Sequence, residues 1–188
     1  MSDYETLFHK AKDFHGHVCG GIVLGTRLTI AGLRELGMNP HEHHRNLIVY
    51  MEIDRCGADA VQAITGCSLG HRNLKFMDYG KFAATFVDSS TGRAVRVAVD
   101  EKDRAKHEKL DQKEMLKLLG EIPEPEILKI ERVRITIPKD DLPGFPQSKA
   151  TCSVCGEHIM DNRQVVVDGK TMCKNCGAVS YYTVLTPA

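Results

Sequence analysis

Phe14-His15-Gly16-His17-Val18-Cys19-Gly20-Gly21 puts two imidazoles and a thiol within five residues and leads into a long apolar segment. Were the stretch extended, His15, His17 and Cys19 would point to one side, because side chains alternate along an extended backbone. Were it helical, only His15 and Cys19 would share a face. Either way soft donors converge on one point, which suits a transition ion bound through imidazole nitrogen and thiolate. The plainer alternative makes the histidines surface residues and Cys19 a small core hydrophobe. Beyond the stretch, Ile22, Val23, Leu28, Ile30, Ala31, Leu33 and Leu36 recur at helical spacing, so residues 20–36 read as a helix buried on most of its surface. Gly37 ends it and Pro40 blocks its resumption. Cys19 then sits at the helix start, where the backbone dipole favours a thiolate. Gly20 and Gly21 leave the backbone open to close approach. Upstream, Leu7, Phe8 and Ala11 mark a short helix over residues 3–12.

A second thiol follows a strand. Residues 47–54 are apolar and β-branched, and Arg55-Cys56-Gly57-Ala58-Asp59 then turns into a helix to about residue 65. Cys56 and Asp59 are three apart and face one way off the first turn. An acid there is ordinarily a partner of the helix dipole, but a thiol at the carboxyl end of a strand lies where α/β sites gather. Cys67, at the far end of that helix, is roughly 16 Å from Cys56 at 1.5 Å per residue, too far to share its ion. His41-Glu42-His43-His44 reads as a solvated loop rather than a metal site. His71-Arg72-Asn73-Leu74-Lys75 reads as an exposed turn. Strands are expected over 82–88 and 94–100, joined by a hairpin-like Ser89-Ser90-Thr91-Gly92-Arg93. The charged residues 101–109 suggest a solvated helix or loop, 112–119 an amphipathic helix closed by Gly120, and 127–137 a last strand with one wet face. The fold class expected is an α+β core over residues 1–137, with helices on an antiparallel or mixed sheet.

Residues 138–150, with Pro138, Pro143, Gly144 and Pro146, read as a linker. Then come Cys152-x-x-Cys155 and, after seventeen intervening residues, Cys173-x-x-Cys176. Four thiolates complete a tetrahedral zinc shell, and this spacing is that of a zinc ribbon or treble clef. Between the pairs, residues 164–172 look like a hairpin turning at Asp168-Gly169. So short a module over 151–188 cannot bury enough surface alone, and the ion supplies much of its folding energy. A closed four-thiolate shell has no open position for catalysis, so this site is read as structural.

With 25 basic and 25 acidic residues in 188, the chain carries no net charge that would imply a polyanion or a membrane surface as partner. Arg163, Lys170 and Lys174 in the cysteine module are balanced by Glu157, Asp161 and Asp168, which disfavours nucleic acid. No apolar run approaches the roughly 20 residues that span a bilayer, and the polar, acidic start lacks a secretory h-region. A cytoplasmic location is expected. Seven cysteines without a secretory signal point to metal or thiol chemistry rather than a disulfide framework.

Taken together, His15-Gly16-His17-Val18-Cys19-Gly20-Gly21, the run from Cys56-Gly57-Ala58-Asp59 to Gly66-Cys67, Gly70 with Asn73-Leu74, and Asp78-Tyr79-Gly80-Lys81 resemble the FmdE family of formylmethanofuran dehydrogenase components. The matching blocks run over residues 14–86, and several members carry an added treble-clef zinc finger. The resemblance implies an α+β core, a homodimer, and association with the molybdenum or tungsten enzyme that interconverts carbon dioxide and a formyl group in methanogenesis. It places His17, Cys19, Cys56 and Asp59 in a metal or active-site cleft with His15 beside them. Cys67, Asn73 and Lys81 match further motif positions. Gly20-Gly21 departs from the proline many relatives have there. Three duties follow as expectations: a zinc site of His15, His17, Cys19 and Cys56 with Asp59 as outer partner or general base, and with Cys19, Cys56 and Asp59 as the catalytic candidates; a non-catalytic accessory subunit docking on an oxidoreductase; or thiol redox chemistry at Cys19 and Cys56.

Overall fold

A computed structural model describes residues 3–100, 102 and 110–185. The stretch expected as a charged helix or loop, 101–109, lies outside the described residues except for Lys102. Compactness divides the chain into two units, Met1–Thr136 and Ile137–Ala188.

The first unit begins with α1 (Asp3–His15) and α2 (Gly20–Leu36), followed by β1 (Leu47–Met51), α3 (Cys56–Thr65) and β2 (Leu74–Phe76). Then come β3 (Ala83–Asp88), β4 (Ala94–Val99), α4 (Gln112–Glu121), α5 (Glu124–Ile127) and β5 (Leu128–Val133). The strands form one mixed sheet in the order β2-β1-β3-β4-β5. Only β1 and β2 are parallel, joined through α3, and every other pair is antiparallel. The α+β expectation holds. Phe86, Leu28, Leu33, Val49, Val61 and Val97 are among the fully buried side chains of its core.

Glycine sets how closely the helices pack. A Cβ on Gly32 of α2 would overlap the Phe86 ring on β3. A Cβ on Gly25 would lie 2.7 Å from Gly57 Cα and 2.9 Å from Ala60 Cβ on α3, and one on Gly21 would lie 2.8 Å from Cys56 Cβ. Positions 21 and 25 on α2 thus run alongside 56–60 on α3. The two helices lie parallel with their N-termini together, and this alignment sets Cys19 beside Cys56.

Several boundaries differ from those expected. α1 continues to His15, where Gly16 at φ +91° turns the chain. Leu74–Phe76, expected inside an exposed turn, is a strand too short to show a period. α4 passes through Gly120 and stops before Pro123, which cannot extend it. The alternation over 127–137 outruns its strand: β5 ends at Val133 because its partner, Ala94, is the first residue of β4.

In the second unit a 3-10 turn (Lys139–Asp141) precedes the antiparallel pairs β6 (Lys149–Thr151) with β7 (His158–Met160) and β8 (Val165–Val167) with β9 (Lys170–Met172). A short α6 (Lys174–Gly177) follows. The hairpin expected at Asp168-Gly169 is present, with φ +49° and +74°. Positive φ at both central residues marks the turn that matches strand twist.

Candidate metal centres

His15 is the last residue of α1, and the reversal at Gly16 brings His17 back over it, so the opening stretch is neither extended nor helical throughout. The two rings lie 4.3 Å apart between centroids, tilted by 36°. Cys19 has extended backbone as N-cap of α2, and its Sγ is 3.7 Å from His15 Nε2. The ligating atoms of His15, His17 and Cys19 all lie within 4.8 Å of one another. For zinc, ligand bonds of about 2.0–2.1 Å to nitrogen and 2.3 Å to sulfur give a tetrahedral N···S edge of about 3.6 Å. The His15–Cys19 distance fits that edge.

The other ring nitrogen of His15, Nδ1, is 2.7 Å from Asp59 Oδ2 in the first turn of α3. Nδ1–H donating to the carboxylate leaves Nε2 with its lone pair facing Cys19, the tautomer and orientation that metal-binding histidines need. Gln62 Nε2 donates to the other Asp59 oxygen at 3.4 Å. Cys56 lies outside the three-residue group but adjoins Cys19: a Cβ on Gly21 would be 3.3 Å from one sulfur and 3.7 Å from the other. Burial, then a hydrogen bond with Cys19 and the repulsion of its charge, push the Cys56 thiol up. A cation between the sulfurs would remove that repulsion.

An open cleft of about 610 Å³ borders Cys56, Gly20 and Gly21, walled by side chains such as Leu24, Phe82 and Leu118. Two other residues from the expected motifs are structural. The buried Cys67 thiol donates to the Leu47 carbonyl at 3.8 Å, and buried Asn73 accepts from the Ser68 amide at 2.9 Å. Lys81 is exposed, and its amide donates to the Glu52 carbonyl at 3.2 Å. His41, His43 and His44 form no ligand group among the described residues. The sequence had marked Gly20 and Gly21 for close approach, but not Cys56 as what approaches Gly21, nor Arg55 as a wall of the cleft. A small residue every fourth position along 21 and 25 was the available signal.

Cys152, Cys155, Cys173 and Cys176 bring their sulfurs within 4.8 Å of one another. The Cys155–Cys173 separation of 4.0 Å compares with about 3.8 Å for the edge of a zinc–sulfur tetrahedron. Gly156, at φ +76°, turns the first knuckle so that its amide meets the Cys152 carbonyl at 3.0 Å. Backbone amides of Cys155 and Cys173 lower the Cys152 thiol to about 6. A hydrogen bond with Cys173, burial and the other neighbouring thiols push Cys176 up to about 12. Without a cation, Cys152 therefore gives up its proton readily and Cys176 resists, and an entering zinc ion, which needs thiolates, would release protons.

A family model described as "FmdE, Molybdenum formylmethanofuran dehydrogenase operon" matches residues 14–140, starting on the histidine stretch. A second model, the prokaryotic dksA/traR C4-type zinc finger, matches residues 148–182. Among curated proteins, a "Probable S-adenosyl-L-methionine-binding protein" of Archaeoglobus fulgidus is 31% identical over 216 aligned positions covering 98% of this chain. The chain spans only 56% of that relative's length. Among solved structures, an FmdE-like protein of the tungsten formylmethanofuran dehydrogenase type, from Syntrophus aciditrophicus, superposes with a TM-score of 0.67 at 24% identity, over 96% of this chain and 95% of that one. At that identity the likeness speaks for the fold. Two thirds of the chain lies under the first model, and by that match the chain belongs to the FmdE family, with a C4-type zinc finger on its C-terminal side.

Proposed function

We propose that this is a zinc protein with two centres of different kinds. The finger holds a structural ion through Cys152, Cys155, Cys173 and Cys176. In the core, His15, His17 and Cys19 supply three ligands, and Cys56 stands beside the fourth position, facing the cleft. Asp59 fixes the His15 ring. The observation behind the core reading is the division of labour on His15, one nitrogen on a carboxylate at 2.7 Å and the other 3.7 Å from a thiol. Cys19, Cys56 and Asp59 are the residues that would act on a molecule entering the cleft. The family description supports a setting beside a molybdenum formylmethanofuran dehydrogenase; in that setting, or beside a tungsten counterpart, the reading makes the chain a homodimeric accessory component.

Metal content per chain tests the reading. The full chain is expected to hold two zinc equivalents, one lost with Cys155→Ser and the other with Cys19→Ser. Asp59→Asn should keep the core ion but weaken its affinity about 10–100-fold, as loss of an outer-sphere partner does. If the full chain holds a single equivalent that Cys19→Ser and Cys56→Ser leave in place, the core binds no ion and thiol redox chemistry takes its place. Co-purification with a large catalytic partner tests the accessory role. The ligand in the Archaeoglobus relative's name is not carried to the core. That relative is nearly twice as long, and the polar groups of S-adenosyl-L-methionine would face a largely apolar cleft.

A further inference from the structure

We propose that the cleft beside Cys56 binds an amphipathic organic acid, with its carboxylate at Arg55 and its apolar body lying across the end of the sheet beneath α4. The inference rests on the reading of the His15–Cys56 region as the working site, and adds the class of molecule brought to it.

The position of the cleft follows from the topology. Its floor comes from one end of four neighbouring strands: Ile53 and Arg55 just after β1, Phe82 just before β3, Val99 at the end of β4, and Ile127 just before β5. At about 4.8 Å per strand, this row is about 14 Å long. The volume of about 610 Å³ is within the range of small-molecule sites.

The walls decide what lies in it. Met115, Leu118 and Leu119 form one stripe along α4 at i, i+3 and i+4, and Ile122 at its C-cap continues it. None of them is fully buried: Leu119 and Ile122 rest in part on the core, and the stripe as a whole borders the cleft. Leu24 and Phe82 face the same space. A sugar or nucleotide would lose hydrogen bonds to water here and regain few.

Charge then orients the occupant. Arg55 has no ion-pair partner among the described residues, and α3 begins beside it without a side-chain cap. The helix dipole adds to the positive potential at that end. At the other end of the row are Asp100, already paired with Lys102 at 2.7 Å, and Glu126, exposed and without an ion-pair partner among the described residues. A carboxylate is repelled from Glu126 and drawn to Arg55, which delivers it to the Cys56 thiol.

Calorimetric titration of the full zinc-loaded chain with octanoate, butyrate and octanol tests this. Octanoate should bind at least tenfold more tightly than either control. Arg55→Gln should weaken octanoate about tenfold and leave octanol unchanged, whereas Leu118→Trp, which fills the cleft, should weaken both, with unchanged circular dichroism for each variant. Equal affinity for the three probes, no octanoate binding to the folded chain, or indifference to Arg55→Gln would overturn the proposal. Zinc measured on the same samples separates the two readings. Two equivalents without octanoate binding sinks the ligand alone; a single, finger-bound equivalent with octanoate binding intact sinks the core metal alone.

Discussion

Asp88, buried at the end of β3, accepts hydrogen bonds from the Ser90 amide at 2.9 Å, the Ser90 hydroxyl at 2.6 Å and the Thr91 hydroxyl at 2.8 Å. The Asn46 side-chain amide is a fourth donor. Burial works to raise this carboxyl, but the donors of Ser90, Thr91 and Asn46 overcome it and hold it at about 2. In the unfolded chain it titrates at about 3.9. Its folded value is the lower one, so its stabilisation is complete above about pH 4 and is lost as pH falls toward 2. Asp88→Asn should cost about 1–3 kcal/mol at neutral pH. It should also flatten the pH dependence between 4 and 2, read from urea midpoints across that range. Equal acid slopes in the two proteins would show that another carboxylate controls the limb. His15 is a contrasting residue: its hydrogen bond to Asp59 orients a ring rather than fastening a turn.

The pairing of α2 with α3 is the element on which the site depends. Alanine at position 25 has the better helix propensity, by about 1 kcal/mol, but its Cβ would press on the Gly57 backbone at 2.7 Å, and backbone cannot rotate aside. Sterics win, and Gly25→Ala should lower the melting temperature by several degrees, as overpacking by about 1–3 kcal/mol does. Gly120→Ala is the control. It lies within α4 with nothing near its Cβ, and should raise stability by about 0.5–1 kcal/mol. Differential scanning calorimetry of both variants checks the opposite signs. The extent of α2 was legible from its apolar period and from Gly37, which closes it, and that of α3 from the turn at 55–59 that follows a strand; that Gly66 closes α3 is a finding of the structure. The parallel contact of the two helices was not legible, because Gly21, Gly25 and Gly57 show that something comes close without showing what. β2 escaped for a different reason: its three residues owe their conformation to pairing with Val49–Met51, a long-range fact. Within the candidate site, the ligand types of His15, His17, Cys19 and Cys56 could be read from local spacing. The His15–Asp59 hydrogen bond spans 44 positions, and only the docking of α1 on α3 brings it about.

At the scale of the molecule, the two units differ in what holds them. The first has an extensive core under its sheet, whereas Cys152 and Ile159 are the only buried apolar side chains among the described residues of the second. A strong chelator should therefore make residues 137–188 sensitive to protease while the region before them resists, followed by mass spectrometry of the fragments. Simultaneous digestion of both units would mean that the core also depends on its ion. No helix among the described residues is long and apolar enough to cross a membrane. The His15–Asp59 hydrogen bond and the Cys19–Cys56 contact confine the core cluster to the early part of the chain. A ribosome adding about 5–20 residues per second makes Asp59 about ninety residues, or several seconds, before Cys152. The nascent chain thus displays its imidazole and thiol donors while the four-cysteine set is still unmade, so the two sets of donors become available to a metal ion in succession.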